Sequence, residues 1–385
     1  MHNLQRILFV SEGYGKNFYG VAQVVARLFH FSLKRNFFSK VLVTNIGELN
    51  NNDESLIDLI PKIKCLRNLN WHPKQEAFLN SSIGSYSPTL IHLHGVLTFL
   101  QGNTVKAAKK QKVPVIISAH GMLEPWLWVQ KGKVYYWLKR LYWMTVLRPV
   151  LRRVDYVHAI TDQEALTLKR EFPDVPQVKI SNAIDLSEFH SNQVFPSSDR
   201  YLLFLGRLHP VKGVDLLIEA FKQLDIENVR LVIAGPDFDI AYTAKLKNQV
   251  VLLGLSERVE FVGSVHGEQK GELLQKAWCT VVPSYSEVMA IVNLESAASY
   301  TPTITTTMTG LSDWQEGGGL LVEPELKPLT DAMMTACDWL QDERMEMGKN
   351  ARAFVEERYS WDVIGEQWVE AYKMIAETGK KKHEQ

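Results

Sequence analysis

Two carboxylates eight residues apart, Glu287 and Glu295, stand in a stretch built to present them. An apolar run, Val281–Pro283, delivers the polar turn Ser284-Tyr285-Ser286-Glu287, and a helix-compatible segment follows with Glu295 inside it. Ionised carboxylates accept hydrogen bonds from hydroxyls, so such a pair could grip a polyhydroxyl ligand. The same spacing also suits a capping acid followed by a solvated helical glutamate. Upstream, Arg207 and Lys212 lie in Gly206-Arg207-Leu208-His209-Pro210-Val211-Lys212-Gly213, between an apolar run and an amphipathic segment. Two cations and the first amides of a helix make a site for a diphosphate, although either cation alone also reads as solvated surface charge. His120 ends the apolar run Val113–Ser118 and precedes Gly121. A histidine there can donate to phosphate or exchange a proton near neutral pH, or simply cap the strand. His92 and His94 alternate on one predicted strand and share a face; with no third ligand nearby they read as structural or pocket-wall residues, and no metal site is expected.

The elements that position these residues form two successive series of strands and helices. The first reads as strand Arg6–Ser11, helix Val21–Lys34, strand Lys40–Ile46, an exposed loop Gly47–Leu56, strand Thr89–His94, a helix near Asn103–Gln111, strand Val113–Ser118, strand Val154–Thr161, helix Asp162–Phe172 and strand Val178–Ile180. Its first loop carries Gly13, Gly15 and Gly20, whose backbone could face an anion at the helix start or be merely flexible. Leu186–Arg200, with Pro196-Ser197-Ser198, reads as a linker. The second series runs strand Arg200–Leu205, helix Val214–Leu224, strand Val229–Ala234 ending at Gly235, strand Val259–Val265 with Val262, helix Gly267–Lys276, then the two-carboxylate stretch and the β-rich run Thr303–Thr307. Helices are expected at Lys327–Leu340, Asp342–Glu357 and Trp361–Glu377, the last capped by Ser360, with a frayed tail from Gly379. Strand–turn–helix–strand units place ligands at the C-terminal ends of parallel strands.

A chain of 385 residues has room for two full cores, and 46% hydrophobic with 22% charged residues is ordinary for a globular protein. Lys plus Arg and Asp plus Glu both number 43, so no global charge draws it to nucleic acid or acidic lipid, and no nucleic-acid module motif is present. Cys65, Cys279 and Cys337 are far apart and unpaired in sequence, which suggests reduced thiols in a cytosolic protein. The first strand is too short an apolar run for a signal peptide, and no run is long enough to span a membrane.

Residues 126–153 depart from that neutrality. Trp126, Trp128, Tyr135, Tyr136, Trp137, Tyr142 and Trp143 alternate with Lys131, Lys133, Lys139, Arg140, Arg148, Arg152 and Arg153, without one acid. Aromatic rings interleaved with cations suit the surface of an anionic membrane. A helix packed on its domain with snorkelling cations would carry the same composition.

Taken together, Pro283-Ser284, Glu287, Glu295 and Thr301-Pro302 resemble the E-x7-E region of retaining glycosyltransferases of family 4. Gly206-Arg207 with Lys212-Gly213 matches that family's motif for the donor diphosphate, and His120-Gly121 falls where it commonly places a histidine near the donor sugar. Tyr19-Gly20-Val21-Ala22 resembles its Gly-Gly-Ala step, Ser181–Asp185 its Pro-Asn-Gly-Val-Asp segment, Val259–Val265 the strand that offers backbone to the base, and Gly310, Asp313 and Gly317–Val322 its loop after the last strands. His120–Trp126 is similar to a subset that builds bacterial surface polysaccharides, lipopolysaccharide and exopolysaccharide among them. Two positions depart from the pattern: Val288-Met289-Ala290 replaces a glycine-led run, and Tyr300 replaces the glycine before Thr-Pro.

The resemblance implies an α/β GT-B fold, two Rossmann-like doubly wound domains facing a central cleft. Residues 1–185 would form the acceptor side, with the crossover helix 361–377 packing back on it, and residues 200–358 the nucleotide-sugar side. It implies sugar transfer with retention from a UDP- or GDP-sugar to a glycan or lipid-linked acceptor, without an essential metal. The protein would work in the cytoplasm, peripheral on the cytoplasmic face of the inner membrane through 126–153. Catalytic roles would fall to His120, Glu287, Arg207 and Lys212. Donor contacts would come from Gly20, Gly206, Arg207, Lys212, Gly235, Val262, Glu287 and Glu295. A non-catalytic scaffold that keeps the fold, or a hydrolase or epimerase of nucleotide sugars, remain alternatives.

Overall fold

A computed structural model describes residues 5–384 apart from 16–19, 50–52, 63–70, 125, 127, 129–131, 190–192, 194–199, 225 and 227. Tyr19, the asparagine run 50–52, Cys65, Lys131 and the Pro196–Ser198 part of the expected linker thus lie outside the described residues. The chain divides into two compact units, Met1–Ser181 with Gly365–Gln385, and Asn182–Ile364.

The first unit is organised on seven parallel strands: β1 (Arg6–Tyr14), β2 (Phe38–Ile46), β3 (Ile57–Leu59), β4 (Leu90–His94), β5 (Val115–Ser118), β6 (Tyr156–Ala159) and β7 (Gln177–Lys179), in the order β3-β2-β1-β4-β5-β6-β7. The central strands are apolar without alternation because helices cover both faces, and Ile7–Val10, Leu90–Leu93 and Val115–Ile117 are buried. Helix Val21–Lys34 buries Val25, Leu28, Phe29 and Ser32, the face that a 3.6-residue period selects.

The second unit repeats the arrangement on six parallel strands: β8 (Arg200–Leu205), β9 (Val229–Ala234), β10 (Val259–Gly263), β11 (Cys279–Val282), β12 (Thr303–Thr306) and β13 (Gly319–Val322), in the order β10-β9-β8-β11-β12-β13. Buried Arg344 ties its parts together. Its guanidinium donates to the carbonyls of Ala277, Trp278 and Tyr300 and to Thr301 Oγ1, at 2.7–3.0 Å. Burial lowers its pKa to about 10, so it stays charged at neutral pH. Cys279 and Cys337 are free and buried.

Several expectations are corrected. Residues 319–322 form a strand rather than a loop, because Gly319, Leu320, Leu321 and Val322 pair with β12. Strand Ile57–Leu59, just after the expected loop Gly47–Leu56, was not foreseen and pairs with β2. The helix placed near Asn103 starts at Phe99, since Thr98 and Gln101 form a reciprocal cap. Helices Gln75–Tyr86 and Ile240–Leu252 were not foreseen. The last helix runs to Glu384 instead of fraying at Gly379.

Candidate functional site

Each sheet has a switch point where the chain order reverses, and ligands of open parallel sheets bind beyond the strand ends there. In the second unit it lies between β8 and β11, which pair through Leu202–Cys279 and Leu203–Thr280. The loop after β8 carries Arg207 and Lys212, and the turn after β11 carries Glu287. The fold brings Lys212 and Glu287 into contact: Lys212 Nζ stands 2.6 Å from Glu287 Oε2, both side chains largely covered. Ser284 Oγ donates to Glu287 Oε1 at 2.5 Å, and the Tyr285 amide donates to the Val211 carbonyl at 2.8 Å. The two loops are therefore joined by a backbone bond as well as an ion pair.

Glycine is required where these loops approach backbone. Gly213 adopts φ 66°, and a Cβ there would lie 2.2 Å from the Pro283 carbonyl oxygen. Gly235 adopts φ 150°, and a Cβ would lie 1.8 Å from the Gly206 oxygen. Gly206 and Gly235 thus let the tips of β8 and β9 touch.

Arg207 is exposed and lies over the Phe238 ring at 4.7 Å, with no ion-pair partner among the described residues. Between the two cations sits His209, which the sequence reading passed over. Its Nδ1 accepts from the Val211 amide at 3.2 Å, capping the short turn Pro210–Lys212. Burial, then Arg207, and also Lys212 hold its pKa below the usual value despite Asp239. It is neutral at pH 7 and can donate from Nε2.

Glu295 lies inside helix Ile291–Ala298 and pairs with Lys270 at 2.7 Å. Val262 sits at a bulge in β10, where two residues oppose one on β9, so its backbone falls outside the ladder. In the Val288-Met289-Ala290 turn, the Glu287 and Ala290 amides donate to the carbonyls of Met308 and Thr309. Tyr300, where the sequence pattern has glycine, adopts φ 59°.

His120 and Gly20 belong to the first unit. There the switch point lies between β1 and β4, and Glu12 after the core of β1 meets Thr98 and Gln101 after β4, at 3.4 and 3.3 Å. Gly20 opens helix Val21–Lys34 at φ 64° and is exposed. His120 follows β5 at φ 52°, a left-handed conformation uncommon for a residue with a Cβ. Its ring stacks on His94, with His120 Nε2 2.9 Å from His94 Nδ1. Burial and the nearby His158 push its pKa down to about 3, so it is neutral at pH 7.

Behind His120 runs a chain of bonds whose protons are fixed by its end. His158 Nε2 faces the Ile180 carbonyl at 2.7 Å and must donate. His158 Nδ1 then accepts from Ser118, Ser118 accepts from His92 Nε2, and His92 Nδ1 accepts from Tyr372, at 2.7, 2.7 and 2.8 Å. His92 and His158 thus have no lone pair left for a metal, and no metal-holding cluster occurs among the described residues. His94 Nε2 is buried without a partner. A buried N–H unpaired costs more than an unpaired lone pair, so His94 carries its proton on Nδ1 and donates to His120, leaving His120 Nδ1–H as donor.

Glu164 is the other residue missed. Its carboxylate accepts from the Gly121 amide at 2.6 Å and the Ile160 amide at 2.8 Å, which anchors the His120-Gly121 turn. Burial raises its pKa to about 7, against the lowering of those amides and with some raising by Glu124. The signal was present as Thr161-x-x-Glu164, a capping pattern in which Thr161 accepts from the Glu164 amide.

Residues 19–188 match the family described as Glycosyltransferase Family 4, and residues 186–354 that described as Glycosyl transferases group 1. An uncharacterized glycosyltransferase of Methanocaldococcus jannaschii is 35% identical over 185 residues, 46% of this chain and 46% of that protein. The chain thus matches less than half the length of this curated relative. Among solved structures, sucrose-phosphate synthase of Thermosynechococcus elongatus superposes with a TM-score of 0.74 at 20% identity, covering 96% of this chain and 99% of that one. HepE of Anabaena, in complex with UDP, gives 0.74 at 16% identity over 96% and 100%.

Proposed function

The chain belongs to the family 4-like glycosyltransferases of GT-B fold, and we propose that it moves a sugar from a nucleotide diphosphate donor to a glycan or lipid-linked acceptor, with retention at the anomeric carbon. The observation that carries this reading is the Lys212–Glu287 pair at the β8/β11 switch point, flanked by Arg207 and neutral His209. A diphosphate seated there would take Lys212 and Arg207 as cations and His209 as a neutral donor, with the first amides of helix Val214–Lys222 behind them. As the bond to the sugar breaks, charge gathers on the leaving phosphate, and fixed donors at that point lower the barrier. Glu287, released from Lys212 by the phosphates, would accept from sugar hydroxyls. Glu295 has one oxygen on Lys270 and would offer the other to the ribose. Gly206, Gly235 and the bulged backbone at Val262 would line the nucleotide, and Gly20 the phosphates. His120, neutral and with Nδ1–H available, would orient the sugar by hydrogen bonding rather than act as an acid. HepE's complex with UDP favours a UDP-sugar over a GDP-sugar as the first donor to try. The acceptor reading is polysaccharide assembly, at the cytoplasmic face of a membrane met through 126–153.

A panel of UDP- and GDP-sugars tested by thermal shift, followed by product analysis, checks this. A donor that binds only the native state raises the melting temperature. A glycosylated product of retained anomeric configuration is expected. Free sugar, an isomerised nucleotide sugar, or no melting shift with any donor would overturn transfer in favour of hydrolysis, epimerisation or a non-catalytic role.

A further inference from the structure

The helix that begins at Lys133 sinks into its unit mainly through its second half, while its first half is held by Arg140 and by the half-buried rings of Tyr136 and Tyr142. From its second half Trp143, Leu147 and Leu151 sink into the core. Buried Glu171 collects the Trp143 indole N–H at 2.8 Å, Arg140 at 2.7 Å and Arg148 at 3.1 Å. The first half, Lys133–Tyr142, contributes no fully buried residue. Four of its apolar side chains point outward, Val134, Trp137, Leu138 and Leu141 being 76, 67, 62 and 61% exposed, and Met144 in the π-helical turn that follows is 47% exposed. Spacings of 3, 4 and 7 from Val134 put Trp137, Leu138 and Leu141 on one α-helical stripe with it, and Met144 continues the exposed apolar surface. Isolated exposed apolar residues are normal, but a contiguous stripe marks a surface that something covers. No helix among the described residues is long and apolar enough to cross a membrane.

The charges around the stripe are fewer than the composition suggests. Arg140 and Arg148 are paired with Glu171, and Arg152 with Asp174, so these three of the seven cations fasten the helix to its own unit. Lys139 lies over the Trp128 ring at 4.8 Å. Lys133 and Arg153 are exposed, with no ion-pair partner among the described residues. The attraction therefore comes chiefly from apolar surface, with a small cationic margin.

We propose that the helix from Lys133 to Leu147 lies in the interface of an anionic lipid bilayer, its stripe among the acyl chains and Lys133 at headgroup level. The cations that are left choose the occupant: a second copy on this face would offer Lys133 no acid, since 126–153 holds none and Glu171 and Asp174 are already engaged by Arg140, Arg148 and Arg152. An anionic lipid surface complements those cations, and an indole such as Trp137 suits the water–lipid boundary. The proposal gives the membrane contact assumed above its mode, and it stands or falls apart from the donor chemistry.

Flotation of the full chain with phosphatidylcholine vesicles, with or without about 30% phosphatidylglycerol, tests it. Binding to the anionic vesicles is expected. The double variant Trp137→Ser, Leu141→Ser should lower partitioning by about tenfold or more. Lys133→Gln should lower it by only about two- to fivefold, and salt should weaken but not abolish binding. The substituted positions are exposed, so melting curves should match the wild type and exclude misfolding. Wild-type binding by the double variant, or no binding of the wild type to anionic vesicles, would overturn the proposal. So would a concentration-dependent dimer that the double variant abolishes, which would give the face to a second copy. Donor-induced thermal shift measured on the same samples separates this failure from failure of the transferase reading.

Discussion

Lys212 and Glu287 lie 75 residues apart in sequence and 2.6 Å apart in space, joined across the point where the second sheet reverses its strand order. The pair is mostly shielded from water, so each charge depends on the other. A diphosphate bound as proposed would compete with Glu287 for Lys212.

Removing either partner should then have different consequences. Lys212→Ala should weaken UDP binding by about tenfold or more, the loss of one charge-assisted contact. Glu287→Gln removes the competitor and should leave UDP affinity unchanged or slightly tighter, while kcat with the intact donor falls. Calorimetry with UDP and steady-state kinetics read the two arms. Equal losses of UDP affinity in both variants would show that Glu287 serves the phosphates rather than the sugar.

Glu295 and Lys270 form a second pair, at 2.7 Å, further along the same βα unit. If Glu295 holds ribose hydroxyls, Glu295→Gln should raise the donor KM by about tenfold and lower kcat much less, because binding lost equally in ground and transition state leaves the chemical step alone. Lys270→Met should raise KM by a smaller factor, since it only frees the carboxylate to move. A fall in kcat at constant KM would assign Glu295 to the chemistry.

The strands, and the charged residues that follow them, are legible in the sequence for a definite reason. Largely apolar runs such as Arg200–Leu205 and Val229–Ala234 have the bounds of buried parallel strands, and the structure keeps both. Arg207, Lys212 and Glu287 are charged residues in the loops after strands β8 and β11, where packing gives no reason for them, and Glu295 follows on the next helix. The misses share another property. His209 and Glu164 act through backbone amides, and such bonds leave little trace in residue type. Helix Gln75–Tyr86 buries only Gln75, Leu79 and Ile83 and carries a glycine and three serines, so no clear period marks it. Tyr300 is instructive in the opposite sense: its φ of 59° explains why glycine suits that position, and its ring packs under Arg352 at 5.5 Å.

The buried histidines predict how stability changes in acid. His158 is held neutral, its pKa lowered by burial from 6.5 to about 4 although its bond to Ile180 opposes this. Below about pH 6.5 the unfolded chain takes up a proton that the folded chain refuses, so stability falls as pH drops from there to about 4. For this residue alone the loss is about 3 kcal/mol across the window. Glu164 works in the other direction: its raised pKa, about 7, takes stability away as pH rises from about 4.5. Urea midpoints measured between pH 4 and 8 should therefore show a smaller acid slope in His158→Asn than in the wild type, even though the variant is weaker at pH 7. Identical slopes would mean that His158 takes up its proton over the same pH range in the folded and unfolded chain.

Glu164 also bears on function through the turn it anchors. Its two oxygens take the amides of Gly121 and Ile160, and the residue before Gly121 is His120 in a left-handed conformation. Such a conformation persists only where its surroundings hold it. Glu164→Gln keeps the shape but turns an acceptor into a donor facing an amide, at a cost of about 1–3 kcal/mol. The turn should shift and carry the His120 ring away from its place against His94. If His120 orients the donor sugar, kcat should drop about tenfold with little change in UDP affinity, because a small misplacement at the reacting end is costly while the nucleotide is held elsewhere. Nitrogen chemical shifts of the His120 ring should move in the same variant. Glu124→Gln is the control: it neutralises the neighbouring buried acid, whose Oε1 has no partner, without touching the Gly121 amide. Unchanged kcat and ring shifts in Glu164→Gln would make Glu164 a packing residue of the first unit with no hold on the site.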